Sequence, residues 1–323
     1  MAYSEITPGK IRFSVIVPLY NKEPYVEKAL RSILEQTFSD FELIVVNDGS
    51  KDNSLAVAQR VLAGVENAKI INQENAGVST ARNNGVAASK GDYICFLDAD
   101  DWWEPTFLEK LDKLIKDYPE AKLYSCAYYY VKTGRREKKV DIPTGYFNYC
   151  KEYSKNLQMP IWTGATCLSR VTFDEMGGFK PHLKLGEDFD LWIRIALLNK
   201  VAFFNVPLSN YNQDVDVNNR GIGHLTEPQV HMLWNLDYLQ KEELTNPDYK
   251  QLIDNLRTYG LMPYYLSKDY HLAAKKELQK VDWSGQSHKY KILYEMPVPV
   301  LKFREKLLKQ GSKIKRFIIR RLA

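Results

Sequence analysis

Hydrophobic and polar positions in the first hundred residues alternate between two periods. Apolar runs rich in Val and Ile occupy residues 13–17, 41–46, 69–72 and 93–97, while residues 24–36, 53–63 and 78–88 between them read as helices. Near-continuous β-branched runs predict strands buried on both faces. Their alternation with helices predicts an α/β domain, a mainly parallel mixed sheet flanked by helices. Further strands are expected at 122–130 and 201–204 and a helix at 188–199, with an irregular stretch rich in Tyr and Lys over 135–158. After about Asn218 the pattern changes, and helices are expected at 228–243, 247–261 and 272–278. We therefore expect an α/β domain over residues 1–220 and a helical C-terminal region over 221–323.

Composition adds limits rather than identity. The 323 residues are 45% hydrophobic and 26% charged, which excludes a disordered, collagen-like or disulfide-stapled chain. Cys95, Cys126, Cys150 and Cys167 form no C-x-x-C pair, so a zinc cluster is not expected and reduced thiols in the cytoplasm are. Residues 1–12 lack the apolar core of a secretory signal, and no apolar run reaches the length of a membrane span.

The net charge of +5 is unevenly placed. Residues 302–323 hold nine basic side chains against Glu305 alone, so the rest of the chain is slightly acidic. Interleaved Phe303, Leu307, Leu308, Ile314, Phe317, Ile318 and Leu322 make this segment basic and amphipathic. It suits either peripheral contact with an anionic membrane or a terminal helix with a solvated basic face. No nucleic-acid partner is expected.

In a parallel α/β sheet, ligands bind beyond the carboxyl ends of the strands. Those positions hold Pro18-Leu19-Tyr20-Asn21, Asn47-Asp48-Gly49-Ser50 and Asp98-Ala99-Asp100-Asp101. Asp98 and Asp100, two apart at a strand end, can present two hard oxygen donors to Mg²⁺ or Mn²⁺. The competing reading is local, with Asp101 or Glu104 capping the helix that Pro105 enters. Asp48 suits hydrogen bonds to a base or sugar, and Tyr20 suits stacking, while Ser50, Asp52 or Asn53 suits helix capping. Glu187 and Asp188 open a helix whose dipole favours carboxylates. Asp190 and Arg194, four apart, read as a surface salt bridge. Trp102, Trp103 and Trp162 suit either a sugar ring or the packing of the core and rim.

Together these segments resemble glycosyltransferase family 2, the inverting enzymes with the glycosyltransferase-A fold. The likeness rests on Val15–Asn21, Glu42–Ser50, Asn75–Gly85, Gly91–Asp101 and Glu187–Trp192, in the family's order. It implies a metal-dependent transfer from a nucleotide-sugar donor, most often a UDP-sugar, to a glycan or lipid-linked glycan hydroxyl. By resemblance, Tyr20, Asp48, Pro18, Asn21 and Arg82 belong to the donor pocket. Asp98 then faces the ribose and Asp100 approaches Mn²⁺ or Mg²⁺, with His224 as a further candidate for the metal site. Asp188 is implied as general base and Glu187 as its positioning partner. Two alternatives are a non-catalytic sugar-nucleotide or glycan-binding module and a nucleotidyltransferase. The second normally shows a glycine-rich basic loop where this chain has Pro18-Leu19-Tyr20-Asn21.

Overall fold

The computed structural model describes residues 11–215, 225–304, 306 and 307. The chain divides into two compact units, residues 1–235 and 236–323.

The first unit opens with β1 (Phe13–Leu19), α1 (Val26–Leu34), β2 (Phe41–Asp48), α2 (Ser54–Val61), β3 (Ala68–Gln73), α3 (Val78–Ala87) and β4 (Tyr93–Phe96). These four strands pair in parallel in the order β3-β2-β1-β4. Every residue of β1 and β2 is buried, as expected of unbroken apolar runs covered on both faces. The polar exceptions are paired, since the Ser14 hydroxyl donates to Glu42 at 2.8 Å. Gly85 lets α3 lie close on the sheet, because a Cβ there would collide with Ile16 and press on Val46. That close approach seats Arg82, one turn earlier on α3, over the strand ends.

Next come β5 (Trp102–Trp103), α4 (Phe107–Asp117), β6 (Ala121–Lys132), β7 (Arg135–Lys138), β8 (Gly145–Phe147) and α5 (Tyr149–Ser154). They are followed by β9 (Thr166–Ser169), α6 (Arg170–Glu175), α7 (Glu187–Leu198) and β10 (Lys200–Asn212). The ten-stranded sheet runs β3-β2-β1-β4-β9-β6-β10-β5, with β7 beside β6 and β8 beside β10. It is mixed: β9 is antiparallel to both β4 and β6, whereas β6 and β10 are parallel.

Two sequence expectations of secondary structure differ from the structure, and two strands were not expected. The stretch 135–158 is not irregular but contains β7, β8 and α5. Its strands are only four and three residues long, and β7 is Arg-Arg-Glu-Lys, fully exposed, so no apolar alternation marks it. The same brevity hides β9 and the two-residue β5. The helix expected over 228–243 is instead a series of 3₁₀ turns at Pro228–Val230, Met232–Trp234 and Asp237–Leu239, leading into α8 (Gln240–Thr245). The cause is tertiary. Lys184 N–H donates to the Val230 carbonyl at 2.8 Å and Met232 N–H to that of Leu185 at 3.0 Å. That pairing holds His231 extended, with its Nδ1 accepting from Leu233 N–H.

The second unit continues with α9 (Pro247–Gly260), α10 (Met262–Tyr265), α11 (His271–Leu278) and α12 (His288–Glu295). It packs around Tyr249, Leu252, Ile253 and Leu261, all fully buried. Buried Arg257 pairs with Glu243 there, one N–O distance being 3.0 Å. No helix among the described residues is long and apolar enough to cross a membrane.

Candidate active site

The carboxyl ends of β1, β2 and β4, the N-terminal turns of α3 and α7, and the end of β10 enclose a cavity of about 490 Å³. Pro18, Tyr20, Asp48, Arg82, Asp98, Asp100, Glu187 and Asp188 all line it, from segments spread over 171 positions of sequence. The strand order fixes their sequence along the sheet edge, from Asp48 at the end of β2, through Tyr20 after β1, to Asp98 and Asp100 after β4. Trp162 and Tyr211, stacked with ring centroids 4.0 Å apart, line the wall on the β9–β10 side.

Arg82 joins the parts. Its guanidinium donates to Asp98 at 2.8 Å and to Glu187 at 3.0 Å, and the side chain is 4% exposed. Burial works against its charge, but Asp98 and Glu187 outweigh burial and hold it protonated more firmly than usual. The planar fork suits this bridge, since a single ammonium presents no pair of parallel donors.

Glu187 and Asp188 begin α7 immediately after Gly186, whose φ of 80° is left-handed. A side chain at Gly186 would also press on Met232, 2.9 Å from its Cβ. Burial, then the charge of Asp188, pushes the Glu187 carboxyl up to about 7, with Arg82 pulling the other way. Burial also raises Asp188 above its usual range, while Arg82 and the Thr163 hydroxyl oppose that rise. Thr163 donates to one Asp188 oxygen at 3.0 Å and Phe189 N–H to the other at 2.8 Å. This leaves lone pairs on a carboxylate that faces the cavity.

Asp190 corrects the sequence reading. It is fully buried, not a surface partner, and lies between Lys180 at 2.8 Å and Arg194 Nε at 2.9 Å. Arg194 also donates to the carbonyls of Met176 and Gly178. This network anchors α7 from behind.

Asp48 is 3% exposed, and its carboxylate accepts from Gln73, Ala76 N–H and Gly77 N–H at 2.8–2.9 Å. It therefore shapes the loop before α3 and keeps one acceptor position besides. Tyr20 is 41% exposed, an open aromatic face on the cavity wall. Asn21 stands beside the cavity rather than on its wall. Its φ is 51°, its side chain accepts from Lys51 N–H at 2.8 Å, and it ties the β1 loop to the β2 loop.

The capping alternatives at α4 fail. Asp101 is buried and accepts from Asn212 N–H at 2.9 Å and from Trp162 Nε1 at 3.2 Å. Glu104 bonds to Asn210 and Arg136. The N-cap of α4 is Thr106, without a side-chain bond. Asn53 caps α2 without one as well, although Asp52 accepts from Ser54 N–H at 3.0 Å. Of the tryptophans, Trp103 is buried on Phe107, and Trp102 carries the Lys28 ammonium on its face. Only Trp162 reaches the cavity. His224 lies outside the described residues, as do Glu305 and residues 308–323 of the basic segment.

Asp98 and Asp100 fit a divalent ion by donor chemistry. Both are carboxylates on one wall, and Asp100 already holds a cation, the Lys22 ammonium, at 2.5 Å. Among the described residues no group of three His, Cys, Asp or Glu side chains forms a complete ligand set. Such a site suits Mg²⁺ or Mn²⁺, which keep waters and take further oxygens from phosphates. Sequence reasoning missed Lys22 and the bridging role of Arg82, because neither residue has a local pattern that reports its partner.

The model of glycosyl transferase family 2 matches residues 14–176, just over half the chain. The chain belongs to glycosyl transferase family 2. Within that family, an uncharacterized glycosyltransferase of Rickettsia typhi is 30% identical over 249 residues, 72% of this chain and 73% of that one. The Bacillus subtilis uncharacterized glycosyltransferase EpsJ is 37% identical over 123 residues, 38% of this chain and 36% of EpsJ. The first curated relatives are matched over only 30–40% of their own length. Among solved structures, S. aureus TarS 1-349 in complex with UDP-GlcNAc superposes with a TM-score of 0.74. It is 18% identical, over 93% of this chain and 92% of TarS, a likeness of fold that identifies the glycosyltransferase-A architecture.

Proposed function

We propose that the cavity catalyses metal-dependent, inverting transfer of a sugar from a UDP-sugar to a hydroxyl of a glycan or lipid-linked glycan. The observation that carries this is the continuous set Asp98–Arg82–Glu187 beside Asp188 in one cavity. Family membership supports transfer chemistry, and the UDP-GlcNAc bound by S. aureus TarS supports the choice of donor.

Each residue has a role in this account. Tyr20 offers its face to the base, and Asp48 its remaining acceptor position to the nucleoside. Asp98 and Asp100 hold Mg²⁺ or Mn²⁺, which supplies charge neutralisation for the departing diphosphate. Asp188 takes the acceptor's proton, since a sugar hydroxyl is a weak nucleophile until it loses that proton. Glu187, fixed by Arg82, positions the acceptor or the base. The direct test is nucleoside diphosphate release from UDP-, GDP- and dTDP-sugars, with and without a chelator. Turnover of UDP-sugars that chelation abolishes is expected. Metal-independent turnover, or turnover of a GDP- or dTDP-sugar alone, overturns the corresponding part of the proposal.

A pH dependence follows from the raised carboxyls. A base works only when ionised, and burial here lifts both carboxyls toward neutrality. kcat/KM therefore falls as pH drops through the raised range, by about tenfold per unit below the limb. The limb belongs to the coupled pair and lies above the usual range of a carboxylate, because burial raises both members. A profile flat from pH 5 to 8 contradicts this assignment.

A further inference from the structure

The second unit holds a cavity of its own, of about 270 Å³, near the lower end of ligand cavities. Its lining comes wholly from residues 265–295, whereas the active cavity is lined by the first unit alone. Lys275 lies on α11 with Gln279 just beyond its end, and Lys291, Tyr294 and Glu295 share one face of α12. Trp283 enters from the 3₁₀ turn Trp283–Gly285 and Tyr265 from the end of α10. The floor is aromatic and fixed. Tyr265 and Tyr294 meet edge to face with ring centroids 4.9 Å apart, and Trp283 tilts onto Tyr294 at 5.8 Å. Both phenol hydroxyls donate to backbone carbonyls, Tyr265 to that of Tyr294 at 3.0 Å and Tyr294 to that of Thr258 at 2.9 Å. The rings therefore offer hydrocarbon surface to the cavity. The rim is polar and unmatched. Among the described residues, the ammonium groups of Lys275 and Lys291, the Trp283 Nε1–H, the Gln279 amide and the Glu295 carboxylate make no hydrogen bond or ion pair. Lys250 and Lys280 of the same unit are paired with carboxylates.

We propose that this cleft is a glycan-binding site that takes an acidic sugar unit, its ring on the aromatic floor and its negative group against Lys275 and Lys291. Complementarity supplies the reason. A sugar ring joins an apolar C–H face to a rim of hydroxyls that both donate and accept. The cleft joins the matching pair, hydrocarbon rings beside an amide, an indole N–H and a carboxylate. Two ammonium groups against one carboxylate leave an excess of one positive charge on the rim. That excess favours a unit carrying a carboxylate or phosphate over a neutral one. A flat nucleobase is served poorly, because rings that meet edge to face form no parallel slot. The site goes beyond the transfer chemistry above, since binding there needs neither the nucleotide-sugar donor nor a divalent ion.

The test reads binding to the full chain by calorimetry. The acidic probes are galacturonate and hyaluronan oligosaccharides and a phosphate-bearing mannose oligosaccharide. The controls are the methyl ester of the galacturonate oligosaccharide, chitotetraose, inorganic phosphate and UDP. Wild type is expected to bind at least one acidic oligosaccharide about tenfold more tightly than the methyl ester, chitotetraose or phosphate, the weight of one charge-assisted hydrogen bond. Trp283→Ala, and Lys275→Gln combined with Lys291→Gln, each weaken that binding by about the same factor and leave UDP affinity unchanged. The two lysines are exposed and hold no other part of the chain, so their variant reads the site even where Trp283→Ala does not fold. Failure of every acidic probe to bind, or equal binding of the neutral oligosaccharides, overturns the inference. So does phosphate bound as tightly as the acidic oligosaccharides, or acidic binding that both variants retain. A fall in UDP affinity in the variants makes the cleft a nucleotide site and overturns it too. A wild type that binds the acidic oligosaccharide but no UDP contradicts the proposed function and not this inference.

Discussion

Asp188→Asn lowers kcat by about 10²–10⁴-fold, the usual weight of a positioned general base, and leaves UDP affinity within about threefold of wild type. Thr163 and Phe189 N–H already donate to the two Asp188 oxygens, so an amide oxygen can keep one of these bonds and the side chain can stay in place. What the amide cannot do is accept a proton at neutral pH. Because the substitution also removes a buried negative charge, it does not strain the fold: Arg82 retains Asp98 and Glu187 as partners. Steady-state turnover together with UDP calorimetry separates the two effects. A parallel loss of UDP binding would instead make Asp188 a structural member of the cavity.

Arg82→Met is expected to destabilise the protein by about 3–5 kcal/mol, because removing one member of a buried ionic set leaves the others uncompensated. The residue is 3% exposed and neutralises Asp98 and Glu187 directly, with Asp188 close enough to add to its charge stabilisation. Without it, three carboxylates share one cavity wall. The loss shrinks at acid pH, where Glu187 and Asp188, both raised by burial, take up protons and repel each other less. Arg82→Lys recovers only part of the stability, since a point charge on a flexible stem cannot reproduce the two directed contacts. Denaturant unfolding at pH 8 and pH 5 measures both claims. A cost below about 1 kcal/mol at pH 8 would mean that the carboxylates are already neutral or find other partners.

Much of this arrangement was legible in the chain. Uninterrupted Val and Ile runs announced β1 and β2, and Asp98 and Asp100 stood out as the ends of such a run. Glu187 and Asp188 were visible as carboxylates at the start of a helix. The remainder needed contacts that no local pattern encodes. Arg82 meets Glu187 105 positions away, and Lys22 meets Asp100 across 78. Asp190 and Arg194 have the spacing of a surface pair, and only the cover of Lys180 and the Met176–Gly178 turn makes them interior. At 228–243, helical spacing was real but lost to backbone pairing with Lys184 and Leu185. Asp48 looked like a ligand-binding carboxylate, yet most of its acceptor capacity holds the loop before α3.

The central claim is that Asp188 removes the acceptor's proton as the sugar leaves its nucleotide. Single-turnover release of UDP from the donor identified by the panel, with wild type and Asp188→Asn both saturated with donor and divalent ion, tests it most directly. The account predicts that both proteins form the loaded complex and that the variant releases UDP at least about a hundredfold more slowly. Release by Asp188→Asn at the wild-type rate would contradict it.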